Sequence, residues 1–206
     1  MSTRVVVIDG HPAMRVGLSA VLLSSGFQVS GAAASGEEGV ELARVERPDL
    51  AVLGLNPRGE TAGVEAAERL KALPEPPRVL VHTAYNYPED VSACFLAGVD
   101  SFLHKSVSRE ELVEAVRLTA AGEPVWRPGE QVGEARGSAS SRPGGDLTGR
   151  EKEVLALLLR RYTNAEIACA LYIEAQTVKN HVSRVLRKCG AGSRSELLSR
   201  RLYSAP

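Results

Sequence analysis

Over the first 121 residues, short β-branched apolar runs alternate with stretches whose apolar positions recur every three to four residues. The runs predict strands over Arg4–Ile8, Gln28–Ala32, Leu50–Leu53, Arg78–His82 and Ser101–Leu103. The periodic stretches predict helices over Ala13–Ser24, Glu37–Val45, Ala62–Ala72, Glu89–Ala97 and Arg109–Ala120. Two helix starts carry a hydroxyl and, three residues on, a Glu: Ser35 with Glu38 and Ser108 with Glu111. In that spacing the hydroxyl accepts from the third amide while the Glu reaches back. Strand and helix in repeated alternation imply a parallel sheet covered on both faces, with its functional crevice beyond the carboxyl ends of the strands. There the chain offers Asp9, Gly10, His11, Gly54, Thr83 and Lys105.

The pattern changes twice more. Residues 122–146, GEPVWRPGEQVGEARGSASSRPGGD, hold Pro124, Pro128, Pro143 and six glycines, and no periodicity survives them. They predict a flexible linker. From residue 147 to 206 the helical period returns, with three more hydroxyl–Glu pairs, Thr148 with Glu151, Thr163 with Glu166 and Ser193 with Glu196. Val178, Val182, Val185 and Leu186 imply a further helix that Gly190 ends with a left-handed cap. Four short helices with a tight turn at Tyr172-Ile173-Glu174 predict a helix-turn-helix module.

Charge sharpens this division. The 206-residue chain is neutral overall, with 25 Lys+Arg and 25 Asp+Glu. Residues 147–206 nevertheless hold 11 Lys+Arg against 5 Asp+Glu, and residues 1–121 hold 11 against 16. A basic end on an acidic body points to a polyanion met by the last segment only. The longest apolar run, Val154–Leu159, is far short of a membrane span. The amino terminus lacks a signal-peptide pattern, so a cytoplasmic protein with no membrane partner is expected. Cys94, Cys169 and Cys189 form no C-x-x-C, which argues against a disulfide framework or structural zinc. His11, His82 and His104 lie near strand ends, but alternation turns the last two away from the crevice, so no metal site is expected. No phosphate-cradling, dinucleotide, zinc-protease or nucleophile-elbow pattern occurs, so neither an enzyme nor a cofactor is expected.

The segments VVVIDGHPAMRVGLSAVL, SGEEGVELARVERPDLAVLGL, RVLVHTAY and LAGVDSFLHKSVSREELVEAVRLTAAGE resemble the receiver domain of NarL/FixJ-type response regulators. The resemblance implies an α/β, flavodoxin-like, five-stranded parallel sheet of order 2-1-3-4-5 over residues 1–121. It also implies a phosphorylation site: an Asp ending the third strand, two acids after the first that help hold Mg²⁺, a Thr or Ser, and a Lys. This chain departs from that set. Asp9, Thr83 and Lys105 are present, but Gly10 replaces the second acid and Gly54 stands at the phosphoacceptor position. The following loop, NPRGETAG, is also one residue longer than the family pattern and has its Pro moved forward. An acyl phosphate requires a carboxylate nucleophile, and Mg²⁺ requires oxygen ligands. A degenerate receiver independent of phosphorylation is therefore expected, with Lys105 pairing directly with Asp9. Two other inputs stay open: a small ligand contacting His11, Thr83, Tyr85, Tyr87 and Lys105, or a second response regulator as heterodimer partner.

The segment LTGREKEVLALLLRRYTNAEIACALYIEAQTVKNHVSRVLRKCGAGSRSELLSR resembles the LuxR-type helix-turn-helix domain, an all-α four-helix module. The resemblance makes residues 175–188 a recognition helix for the major groove of double-stranded DNA. Lys179 and Asn180 open its exposed face, with Ser183 and Arg184 one turn on, in place for base edges. Arg187, Lys188, Thr163, Thr177 and His181 are expected to contact phosphates or to fix register. Val178, Val182 and Val185 should face inward with Ile167 and Leu171. Glu174 stands where the family often has Ser or Thr. In the family the last helix, here with Leu197, Leu198 and Leu202, helps pair two modules. The expectation is a transcriptional regulator acting as a dimer, most simply a homodimer.

Overall fold

The computed structural model describes residues 2–55, 62–129 and 147–199. Five parallel strands form first: β1 (Arg4–Ile8), β2 (Gln28–Ala33), β3 (Leu50–Leu53), β4 (Arg78–Thr83) and β5 (Ser101–His104). Between and after them run α1 (Pro12–Ser24), α2 (Gly36–Glu46), α3 (Ala62–Lys71), α4 (Pro88–Leu96) and α5 (Arg109–Ala120). A short sixth strand, β6 (Trp126–Arg127), follows. The sheet order is β2-β1-β3-β4-β5-β6, every pairing parallel. The four middle strands are almost wholly buried because both their faces are covered. Val6, Ile8, Leu53, Val81 and Phe102 pack on the side of α2, α3 and α4. Val5, Val7, Val52, Leu80 and Leu103 pack on the side of α1 and α5.

Strand β6 corrects two expectations at once. The sheet has six strands rather than five, and the segment after residue 121 begins as part of the receiver rather than as tether. Trp126 stacks on Phe102 with centroids 6.0 Å apart and meets Phe95 of α4 edge-on at 5.5 Å. The Phe102 amide donates to the Val125 carbonyl at 2.8 Å, and Ser101 Oγ accepts from the Val125 amide at 3.0 Å. Burial of one indole outweighs the breaking tendency of the flanking prolines. The rest of the expected linker, from residue 130, lies outside the described residues.

The carboxy-terminal module comprises α6 (Gly149–Leu159), α7 (Asn164–Leu171), α8 (Ala175–Lys188) and α9 (Arg194–Ser199). Capping boxes close fully at Ser108/Glu111, Thr148/Glu151 and Thr163/Glu166. At Ser35 and Ser193 the hydroxyl caps as expected, but the Glu reaches one residue further back, to the amides of Ala34 and Gly192. Helix α8 ends where Gly190 takes φ 63°. The Gly190 amide donates to the Arg187 carbonyl and the Ala191 amide to the Leu186 carbonyl, at 3.0 and 2.8 Å. This is the Schellman closure, which needs a residue at ease with positive φ. Ile167, Val178 and Val185 are buried, while Val182 and Leu171 are half-buried beside them. Leu197 is buried and Leu198 half-buried; Leu202 lies outside the described residues.

Candidate functional site

Two places carry chemistry. The first is the crevice at the carboxyl ends of β1, β3, β4 and β5. The sheet brings Asp9, Gly54, Thr83 and Lys105 together there, as expected. Asp9 is almost wholly buried, and Lys105 Nζ donates to its Oδ2 at 2.7 Å. The His11 amide donates to Asp9 Oδ1 at 2.9 Å, and the His11 ring stands 3.4 Å from the same oxygen. Burial alone would push the Asp9 carboxyl up. The Lys105 ammonium and the His11 amide outweigh it and hold the group below the ordinary carboxylate range.

Gly54 and Gly10 differ in kind. A Cβ placed on Gly54 would lie 2.5 Å from Asp9 Oδ2, so the Asp9 carboxylate lies in space that a side chain at 54 would take. A Cβ on Gly10 would meet only the Ala34 carbonyl, at 3.7 Å, an ordinary contact. Neither glycine has positive φ. The backbone therefore does not demand glycine at either place. Thr83 is fully buried, and its Oγ1 accepts from the Tyr85 amide at 3.1 Å. Tyr85 and Tyr87 are half-buried on the β4–α4 connection, Tyr87 being the residue before α4. His11 is exposed at the rim. Missed by sequence reasoning was Arg15, whose guanidinium donates to the Asp9 carbonyl at 2.8 Å and ties α1 to the crevice.

His104 contacts Ser106 Oγ and the Ala84 carbonyl, at 2.7 and 3.2 Å. His82 is buried with Nδ1 unpartnered, and burial, reinforced by the Lys105 charge, lowers its pKa to about 4. Among the described residues no group of His, Cys, Asp and Glu has the arrangement of a metal site.

The second place is α8. Gln176, Lys179, Asn180, Ser183, Arg184 and Arg187 are all exposed and fall at helical spacing on one face. Gln176 is an addition. It precedes Lys179 by three residues, so helical spacing alone would have found it. Ser183 Oγ donates to the Lys179 carbonyl at 2.9 Å, so its hydroxyl is turned to the helix rather than outward. Thr177 is half-buried. His181 is half-buried with Nδ1 enclosed and unpartnered. Thr163 is exposed but engaged as the cap of α7, exchanging bonds with Glu166. Glu174 precedes α8 without a side-chain cap bond.

Lys188, though exposed, is engaged within the module. Its Nζ donates to Glu151 Oε2 at 2.8 Å, and Glu151 is nearly inaccessible. Lys188, expected to contact phosphate or to fix register, thus ties α8 to α6. Burial would raise the Glu151 carboxyl, but the Lys188 ammonium and the Thr148 amide bring it below its ordinary value. A residue 37 positions away in sequence decides the role, which no local pattern could indicate.

Residues 5–117 match the family model for the response regulator receiver domain, and residues 146–200 match that for bacterial regulatory proteins of the luxR family. The protein is a response regulator of the receiver-plus-LuxR class. This response regulator is 35% identical over 199 residues to the response regulator protein VraR of Staphylococcus aureus (strain NCTC 8325 / PS 47), covering 95% of this chain and 94% of that one. Among solved structures it resembles the response regulator ChrA of a heme-sensing two-component system. The identity is 28% and the TM-score 0.50, over 96% of this chain and 95% of that one. Its receiver resembles the signal receiver domain of the putative response regulator NarL from Mycobacterium tuberculosis. There the identity is 35% and the TM-score 0.55, over 59% of this chain and 98% of that one. Response regulators of this class are DNA-binding transcription regulators of two-component systems and not enzymes, and this one carries both of their domains. No helix among the described residues is long and apolar enough to cross a membrane.

Proposed function

We propose that this response regulator controls transcription in the cytoplasm without phosphorylation of its receiver, reading a specific duplex through α8 as a dimer. The observation that carries the phosphorylation-independent part is the Asp9–Lys105 pair lying in the space beside Gly54. Gly54 has no nucleophile to offer, and Asp9 beside it is already satisfied by a lysine and an amide. The stripe from Gln176 to Arg187 supports the DNA-reading part. It presents Lys179, Arg184 and Arg187 as cations beside two amide side chains, the set that reads purine edges and phosphates. Base-edge contacts fall to Lys179, Asn180 and Arg184, phosphate contacts to Arg187, and register to Thr163 and Thr177. Two-fold pairing fits a helix-turn-helix module, which gains affinity by reading two half-sites.

Acetyl phosphate with Mg²⁺ is expected to leave both the mass of the protein and its affinity for duplex DNA unchanged. A gain of one phosphoryl group on the native protein overturns this reading. A small-molecule input through His11, Tyr85 and Tyr87 is less well supported, because Asp9 and Lys105 already occupy the crevice floor. A heterodimer with another response regulator is distinguished by sedimentation of the pure chain with DNA: two copies per duplex are expected.

A further inference from the structure

The second half of helix α6, Val154–Leu159, is apolar on every side. All six residues from Val154 to Leu159 are buried, and a helix of that kind requires cover on more than one face. Helices α7 and α8 cover part of it. The rest of the cover comes from the receiver, where α4 packs directly against α6 and joins the same apolar cluster through Val91, Cys94 and Phe95. The joint is pinned by a polar contact: Ser92 is wholly buried, and its Oγ donates to the Lys152 carbonyl at 2.9 Å. On its other side α4 is braced by Trp126 of β6, edge-on to Phe95. The reading face of α8 meanwhile stays exposed.

An apolar joint with an internal hydrogen bond fixes orientation as well as proximity, and it leaves the DNA-facing helix clear. We infer that the α4–α6 joint persists when the protein is bound to DNA, and that it sets the distance between the two half-sites read by a dimer. The receiver then acts as a rigid arm for the DNA module rather than as a gate over it. A rigid arm allows one spacing to be bridged at little cost, whereas a loose tether accepts many spacings at a lower effective concentration. This inference rests on the proposed dimeric DNA binding.

The test uses the full chain and a duplex selected by that chain from a randomised pool. Amide hydrogen exchange is followed with and without the duplex. The amides of α4 and α6 are expected to keep their protection on DNA. Loss of protection at α4 when DNA binds overturns the inference, since the docked form would then be the unbound form. Ser92→Arg and Ser92→Glu place opposite charges in the joint. Either variant, once small-angle scattering shows the domains apart, is expected to bind a single half-site as the native chain does. Its preference for the selected spacing should fall by about tenfold. An undocked variant that keeps the native spacing preference overturns the inference. If the pool yields no selected duplex, the DNA-binding reading itself fails; if a duplex is found and α4 opens, only the joint fails.

Discussion

Asp9 in the receiver and Glu151 in the DNA module are both carboxylates with almost no exposure, and each takes a lysine, at 2.7 and 2.8 Å respectively. The surroundings make them different devices. Glu151 also completes the cap of α6 and sits among packed apolar helices, so the pair with Lys188 is part of the module's framework. Asp9 lies at the open end of a sheet, beside a glycine with no side chain to compete for the space. The receiver's charges are thus turned on one another, while α8 directs Lys179, Arg184 and Arg187 to solvent. A lysine near a functional surface is informative only once its nearest carboxylate is known.

The largest expected effect is on the Glu151 side of this contrast. Glu151→Ala removes the α6 cap and a charge-assisted bond to Lys188, at a cost of roughly 2–4 kcal/mol in urea unfolding. DNA binding should be lost with the fold of the module. Asp9→Asn, by contrast, should lower receiver stability while changing DNA affinity less than about threefold, the size of a minor contact. Equal loss of DNA binding in both variants would erase the distinction.

Acid stability is next in size. His82 is held neutral, with a pKa of about 4 against 6.5 when unfolded. Between those values the unfolded chain binds a proton that the folded one refuses. Stability is therefore full above pH 6.5 and falls as pH drops toward 4, by on the order of 3 kcal/mol. His82→Leu should flatten that slope in unfolding curves taken across the range. The Asp9 and Glu151 carboxylates run later: their folded values lie below the ordinary ones, so their contribution is lost only at still lower pH.

Lys179→Ala should cost about 1–3 kcal/mol of specific binding with unfolding unchanged, measured by titration of the selected duplex against random competitor. The smallest effect separates two neighbours on α8. Arg187→Ala should reduce the salt dependence of DNA binding by about one phosphate equivalent. Lys188→Ala should leave that slope alone and lower stability instead. The reverse pattern would return Lys188 to the DNA face.

Much of this was legible in the residues. The strand and helix alternation placed β1 to β5 and α1 to α5 to within a residue or two, because buried parallel strands and amphipathic helices have unlike periods. Capping pairs marked the module's helices, since hydroxyl and Glu at that spacing satisfy amides that nothing else can reach. Three features were not legible. Strand β6 is only Trp126–Arg127 between prolines, and its stability comes from Phe95 and Phe102, far off in sequence. The Lys188 pairing depends on a distant partner. The α4–α6 joint did leave a signal, the all-round apolar Val154–Leu159, but a run of that kind says that cover is needed without saying by what.

Strand β6 has a practical consequence. It occupies the hydrogen-bonding edge of β5 and roofs Phe102 with the indole of Trp126. Cutting the gene after the last receiver helix would strip that roof and leave a bare ladder edge beside an uncovered aromatic, a combination that invites sheets to stack between molecules. A receiver fragment meant to stay monodisperse should end beyond Gly129, eight residues past the boundary that helix periodicity alone suggests.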